Sequence, residues 1–146
     1  MANTSAMCTS FKQEILVATH NFTASTGNTF KIALYDSSAT LGASTTAYSS
    51  SEEITNTSGT AYTAGGATLT SVTPTTSGTT ALCDFAPDIS WTSASFTANA
   101  ALIYNSSASN KAVAAIAFGG DKTVTNGTFT IQFPTADASD AIIRIA

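Results

Sequence analysis

Between Thr29 and Tyr35 the chain alternates, with Phe30, Ile32 and Leu34 in one parity and Lys31, Ala33 and Tyr35 in the other. A period of two predicts a strand with one buried face. Ahead of it, the segment SFKQEILVATHNF sets Phe11, Ile15, Ala18 and Phe22 at spacings of three and four. That pattern predicts one short helix, capped by Ser10 and ended before Gly27 and Asn28. The nine residues before it are small and polar and read as an extended arm. Beyond Tyr35, Asp36 to Ser51 reads as loop, Glu52 to Ile54 as a brief strand and Asn56 to Gly59 as a turn. Gly65 and Gly66 permit a tight approach or a bulge before a strand over Ala67 to Thr73.

Pro74 and the following TTSG separate that strand from Thr79 to Phe85, a spacing that suits a hairpin with a longer loop. Ile89 to Trp91 and Ser95 to Thr97 read as strand fragments. Ala100 to Tyr104 and Lys111 to Phe118 read as two strands divided by NSSASN. After Gly119 and Gly120, KTVT and TFTIQF flank Asn126-Gly127, a pair that accepts the positive φ angles of a type I′ hairpin. Phe129, Ile131 and Phe133 share one face, Pro134 breaks the run, and Ala141 to Ala146 forms a last strand. Strands at this spacing predict an all-β fold: a single antiparallel β-sandwich, jelly-roll-like, over residues 10–146, with one short N-terminal helix and an extended arm over residues 1–9. A closed barrel is the alternative.

Composition agrees with this picture. The 146 residues are 43% hydrophobic and only 10% charged, and the balance is Ser and Thr, of which Thr suits a pleated surface and Ser suits turns. Recurrent apolar runs such as AVAAIAF and AIIRI argue against disorder. With a net charge of −4 and only Lys12, Lys31, Lys111, Lys122 and Arg144 basic, the chain lacks the clustered cations that bind nucleic acid. MANTSAMCTS has neither the basic start nor the apolar run of a secretory signal, and no later run is long enough to span a bilayer. The expectation is therefore a product of the cytoplasm with Cys8 and Cys83 reduced, and with the sequons at Asn21, Asn56, Asn105 and Asn126 unused.

Candidate chemistry is sparse. His20 is the single histidine, so a Ser-His-Asp or Cys-His mechanism would need it, with Asp84 or Asp88 to orient it and Cys8, Cys83 or a serine as nucleophile. No motif supports that set, and the expectation is a chain without catalytic activity or cofactor. Asp36, Glu52, Glu53, Asp121, Asp137 and Asp140 could ligate calcium, but their spacing fits no EF-hand or calcium-binding repeat, and the expectation is no metal. Tyr48, Tyr62, Trp91 and Tyr104 suit either sugar stacking or, more commonly, core and interface packing. The Thr-rich runs TLTSVTPTT and TVTNGTFT fit exposed strand faces.

The strings SFKQEILVATHNF, FKIALYDSSATLGASTTAY, GTAYTAGGATL, ALIYNSS and AFGGDKTVTNGTFTIQFP cover most of the chain and resemble a family of small virion proteins of tailed bacteriophages. The resemblance implies a structural component of the particle, made in the host cytoplasm. The leading expectation is a capsid decoration, or cement, protein bound to the major capsid protein and to copies of itself, as a trimer. Candidate partner contacts are Asn3 and Met7 in the arm, Phe11, and Tyr48 and Tyr62 in the loop region. An arm of this kind adds a strand to a neighbouring sheet through backbone hydrogen bonds. The alternative is a tail adaptor or a receptor-binding tip that holds host glycans on its aromatic residues.

Overall fold

A computed structural model describes residues 2–55 and 62–146. The turn expected over Asn56 to Gly59 lies outside the described residues. In chain order the elements are β1 (Ala6–Met7), α1 (Thr9–Leu16), β2 (Phe30–Tyr35), β3 (Ala67–Thr68), β4 (Ser71–Ser77), β5 (Thr80–Phe85), β6 (Ile89–Asn105), β7 (Lys111–Ile131) and β8 (Ile143–Ile145). They form a five-stranded sheet in the order β1-β7-β6-β2-β3 and a three-stranded sheet in the order β4-β5-β8, with antiparallel pairing throughout. The class is all-β and sandwich-like. Among the described residues no helix is long and apolar enough to cross a membrane.

Strand β2 lies between β6 and β3, and every residue in it except Lys31 is buried. The alternation that predicts one buried face understates the burial: Tyr35, of the other parity, donates from its Oη to Ser49 O, and the segment 36–55 continues along the strand's edge, where Asp36 N bonds Glu52 O and Ile54 N bonds Leu34 O. The two sheets meet through aromatic rings. Phe22 stacks on Phe30 at 4.2 Å, and Phe30 reaches Phe85 of β5 at 5.9 Å.

Strands β6 and β7 make one long hairpin, closed by residues 106–110, and the fragments expected at Ile89 to Trp91, Ser95 to Thr97 and Ala100 to Tyr104 are all parts of β6. Asn126-Gly127 does not reverse the chain. It lies inside β7, where Gly127 is opposite Ala94 and the ladder shifts register on either side. The left-handed angles are present, at Asn126 (φ 48) and across the ladder at Ser93 (φ 51), but they make bulges. A local hairpin there would have left the distal half of β6 unpaired, whereas the bulged ladder buries Trp91, Ala94 and Phe96. A larger bulge holds Phe118 to Asp121, since Ala98 and Ala100 pair with Lys122 and Ala117.

Other boundaries also move. Pro74 lies within β4 instead of ending it, which is possible because β4 is an edge strand and its ladder is irregular between Val72 and Thr75. The connection to β5 is tight: Ser77 pairs with Thr80, so Gly78 and Thr79 alone make the turn. Helix α1 starts one residue before Ser10, with Cys8 at the cap position and no side-chain cap. The Ser10 hydroxyl is instead buried without a partner. Cys8 N still bonds Val113 O as the last rung of β1, so the helix begins where the strand stops.

The N-terminal arm is extended, and its strand is added to its own sheet. Ala6 and Met7 pair with Ala115 and Ala114 of β7. Thr4 N and Thr9 N bond Leu41 O and Ala43 O, so the arm ties the loop after β2 to the edge of β7.

Candidate functional site

The loop that follows β2 is organised by a buried carboxylate. Glu53 Oε1 accepts hydrogen bonds from Tyr62 Oη (2.6 Å) and Gly65 N (2.8 Å), while Oε2 accepts one from Tyr48 Oη (2.7 Å). Tyr62 Oη in turn accepts from Leu34 N, and Tyr104, stacked on Tyr48 at 4.7 Å, donates to Gly65 O. Burial first, and then the neighbouring Glu53 charge, raises the Tyr48, Tyr62 and Tyr104 phenols, the last to about 12. All three stay protonated donors. Tyr62, Trp91 and Tyr104 are buried, and Tyr48 is half-buried with one face stacked on Tyr104, so the first three rings present no open face to a sugar.

The candidate partner contacts therefore divide. Phe11 and Tyr62 are fully buried; they are core residues, and the correction follows from neighbours the local sequence does not show. Asn3 is half-buried and spent within the chain, its amide nitrogen donating to Asp36 O and Asn99 Oδ1 and its oxygen accepting from Leu41 N. Met7 and Tyr48 pack partly against the core. These five residues do not converge on one surface feature.

The second buried polar cluster surrounds His20. Its Nε2 lies 2.8 Å from Glu14 Oε2, and Glu14 Oε1 accepts from Lys111 Nζ at 2.9 Å. On the other side of the ring, Nδ1 lies 3.0 Å from Asn105 Nδ2. The Asn105 amide is oriented by its bonds to Asn28 Oδ1 and from Ser107 N. Its nitrogen must donate, so Nδ1 accepts and Nε2 carries the proton to Glu14. Burial pushes the Glu14 carboxyl up, but the hydrogen bonds from Lys111 and His20 outweigh it and hold the group below its usual range.

Neither Asp84 nor Asp88 orients this histidine: Asp84 Oδ1 accepts from Phe85 N and Asp88 Oδ1 from Phe133 N. Pattern analysis passes over Glu14, Asn105 and Lys111. For Glu14 a positional signal exists, since it follows Phe11 by three residues and so falls on the buried face of α1; Asn105 and Lys111 are placed by the β6–β7 hairpin, which no local pattern reveals.

Phe11, His20 and Phe22 line one wall of a groove of about 200 Å³, opposite Leu82, Cys83 and Ile143. Cys83 and His20 thus share a cavity, but not as a nucleophile and its base. Burial, then the Asp84 charge, pushes the Cys83 thiol up to about 12, and both ring nitrogens of His20 are already engaged. Cys8 is raised to about 11, chiefly by burial. The groove's character is apolar.

The acidic residues weighed as calcium ligands do not converge: among the described residues no three His, Cys, Asp or Glu side chains are placed to hold a metal. Asp137 accepts from Ser139 N and Asp140 N, Asp121 from Asn99, and Asp36 and Glu52 meet at the Ser38 hydroxyl. All are turn and loop bonds except the one between Asn99 and Asp121, which joins β6 and β7 at the bulge.

Among the described residues the exposed large apolar side chains are Leu16 (84% exposed), Val17 (61%) and Ile145 (55%). Ile145 lines the groove, and Leu16 and Val17 directly follow Ile15, which also lines it. Compared with protein-family models, curated proteins and solved structures, the chain matches none.

Proposed function

We propose that the chain is a structural protein of a tailed-phage particle, a decoration protein that binds the outside of the head through the major capsid protein and associates with copies of itself. The observation that carries this reading is an apolar groove with exposed Ile145 in its lining, next in the chain to exposed Leu16 and Val17 through Ile15. An apolar groove that leaves a large apolar side chain exposed suits a protein contact. The string resemblance to small virion proteins supplies the kind of particle. The engaged nitrogens of His20 and the raised thiols of Cys8 and Cys83 favour an assembly role over nucleophilic catalysis. The burial of Tyr62, Trp91 and Tyr104 removes the rings on which a glycan-binding tail tip would rely.

Gold-labelled antibody against the chain, applied to intact virions, tests the assignment. Label over the head is expected. Label confined to the tail, or particles that carry none, overturns it.

A further inference from the structure

Three carboxylates are buried among the described residues: Glu14, Glu53 and Asp84. The first two have hydrogen-bond donors on both oxygens. Asp84 differs: it is 1% exposed, its Oδ1 accepts from Phe85 N at 2.8 Å, and its Oδ2 is enclosed with no hydrogen-bond partner. An ionised carboxylate with an unpaired oxygen in the interior carries a desolvation cost that the neutral acid largely escapes. Burial accordingly pushes the carboxyl up, against the opposing pull of the Phe85 and Ile142 backbones.

The place of Asp84 in the sheet decides what its charge acts on. β5 is the middle strand of the three-stranded sheet, with β4 on one side and β8 on the other. Val72 of β4 lies directly opposite Asp84. On the other side Ala81 pairs with Ile145, Leu82 with Arg144 and Cys83 with Ile143, so Asp84 stands beside the point where β8 begins. The titratable and charged groups on these elements and their connections are Cys83 on β5, Asp88 just after it, Arg144 on β8, and Asp137 and Asp140 in the turn before β8; β4 has none. Cys83, next in the chain, points to the opposite face of the strand. Arg144 shares the parity of Asp84 across the ladder, but its guanidinium donates to the carbonyls of Ala138 and Ser139. Asp137 accepts from the Ser139 and Asp140 amides, and Asp88 from Phe133 N. Among the described residues no cation forms an ion pair with Asp84.

β8 is also the least anchored strand of that sheet, an edge strand of three residues where β4 has seven. Its Ile143 and Ile145 line the apolar groove, together with Cys83 of β5. We propose that β8 is a pH-sensitive strap on the groove: it stays paired with β5 while Asp84 is protonated, and ionisation of Asp84 loosens it. With β8 lifted, the carboxylate reaches water, and Cys83 and the Phe11 and Phe22 rings lose one covering wall. By linkage, the closed form holds the Asp84 proton more tightly than the open form. Its advantage is therefore complete in acid and is lost as pH rises through the closed-form value. Glu14, held below its usual range, acts in the opposite direction.

Hydrogen exchange of the full chain, read by NMR as amide protection factors at pH 4 and pH 7, tests this. In the wild type the β8 amides are expected to lose protection severalfold from pH 4 to pH 7, while the amides of β2 and β6 do not follow. Asp84→Asn keeps the shape and removes the charge, so its β8 protection is expected to be equal at both values. Asp84→Ser serves the same purpose if the asparagine chain fails to fold. Alkylation of Cys83, taken relative to the unfolded chain at the same pH, gives a second readout: it should rise with pH in the wild type and not in the variant. A wild-type β8 whose protection does not fall, a fall shared equally by β6, or a neutral variant that retains the wild-type change overturns the inference.

Discussion

Glu14 shows how one residue couples the interior to pH. Its carboxyl sits below its usual range because Lys111 and His20 donate to it more effectively than burial penalises it. A carboxylate depressed in the folded state contributes stability that is present above the unfolded-state pKa and is lost as pH falls through the folded value. Replacing it with Gln keeps the shape and removes the charge. Glu14→Gln is thus expected to lower stability by roughly 1–2 kcal/mol at neutral pH, with the deficit closing at strongly acid pH, once the wild type has lost the same charge. Urea denaturation of both proteins at the two pH values checks this, and an equal gap at both would refute it. Glu53 belongs to the same scale. Its acceptor role was not legible in the sequence because its donors, Tyr48, Tyr62 and Gly65, are brought to it by the fold of the loop and by no spacing rule.

At the scale of elements, Gly66, which turns the chain into β3, differs in kind from Gly119 in β7. Gly66 has φ 76, and a Cβ there would land on the Ile32 carbonyl, in the backbone of β2. Gly119 has φ 74 with open space around it. Gly66→Ala is expected to cost about 4 kcal/mol or to abolish folding, and Gly119→Ala only about 1–2 kcal/mol from the left-handed backbone; thermal denaturation of the pair separates these outcomes. The contrast also explains which elements were readable in advance. β2 announces itself, because its alternation and its burial agree. The Asn126-Gly127 step misleads, because the same positive φ serves a turn or a bulge, and the choice is made by β6, more than twenty residues earlier in the chain. Pro74 misleads similarly: it forbids a central strand, but β4 is an edge.

For the whole molecule, the arm, which the sequence offers as a partner contact, has its backbone bound to β7 and to the loop after β2. Removal of residues 2–8 would leave that edge open and untie Leu41, Ala114 and Ala115 from their partners. Truncation is expected to lower stability on the order of 4 kcal/mol, from several backbone bonds at about 1 kcal/mol each, as measured by urea unfolding. A truncated chain as stable as the full one would show that the arm adds nothing to the fold. The groove lies between α1 and the three-stranded sheet and owes nothing to a motif. It became visible only when Phe11 and Phe22 from one end of the chain met Leu82 and Ile143 from the middle and the other end.

The pairing of β2 with β6 and of β1 with β7 has a consequence in time. A chain leaving the ribosome presents Phe30 to Tyr35 long before Ala100 to Asn105, their partners, have been made. At about 5–20 residues per second, that strand waits several seconds with no ladder to join. Its edges and apolar face are then open to other nascent chains. The low charge that suits the finished surface gives little repulsion during that interval, so yield in the cell should depend on how fast, and how crowded, synthesis is.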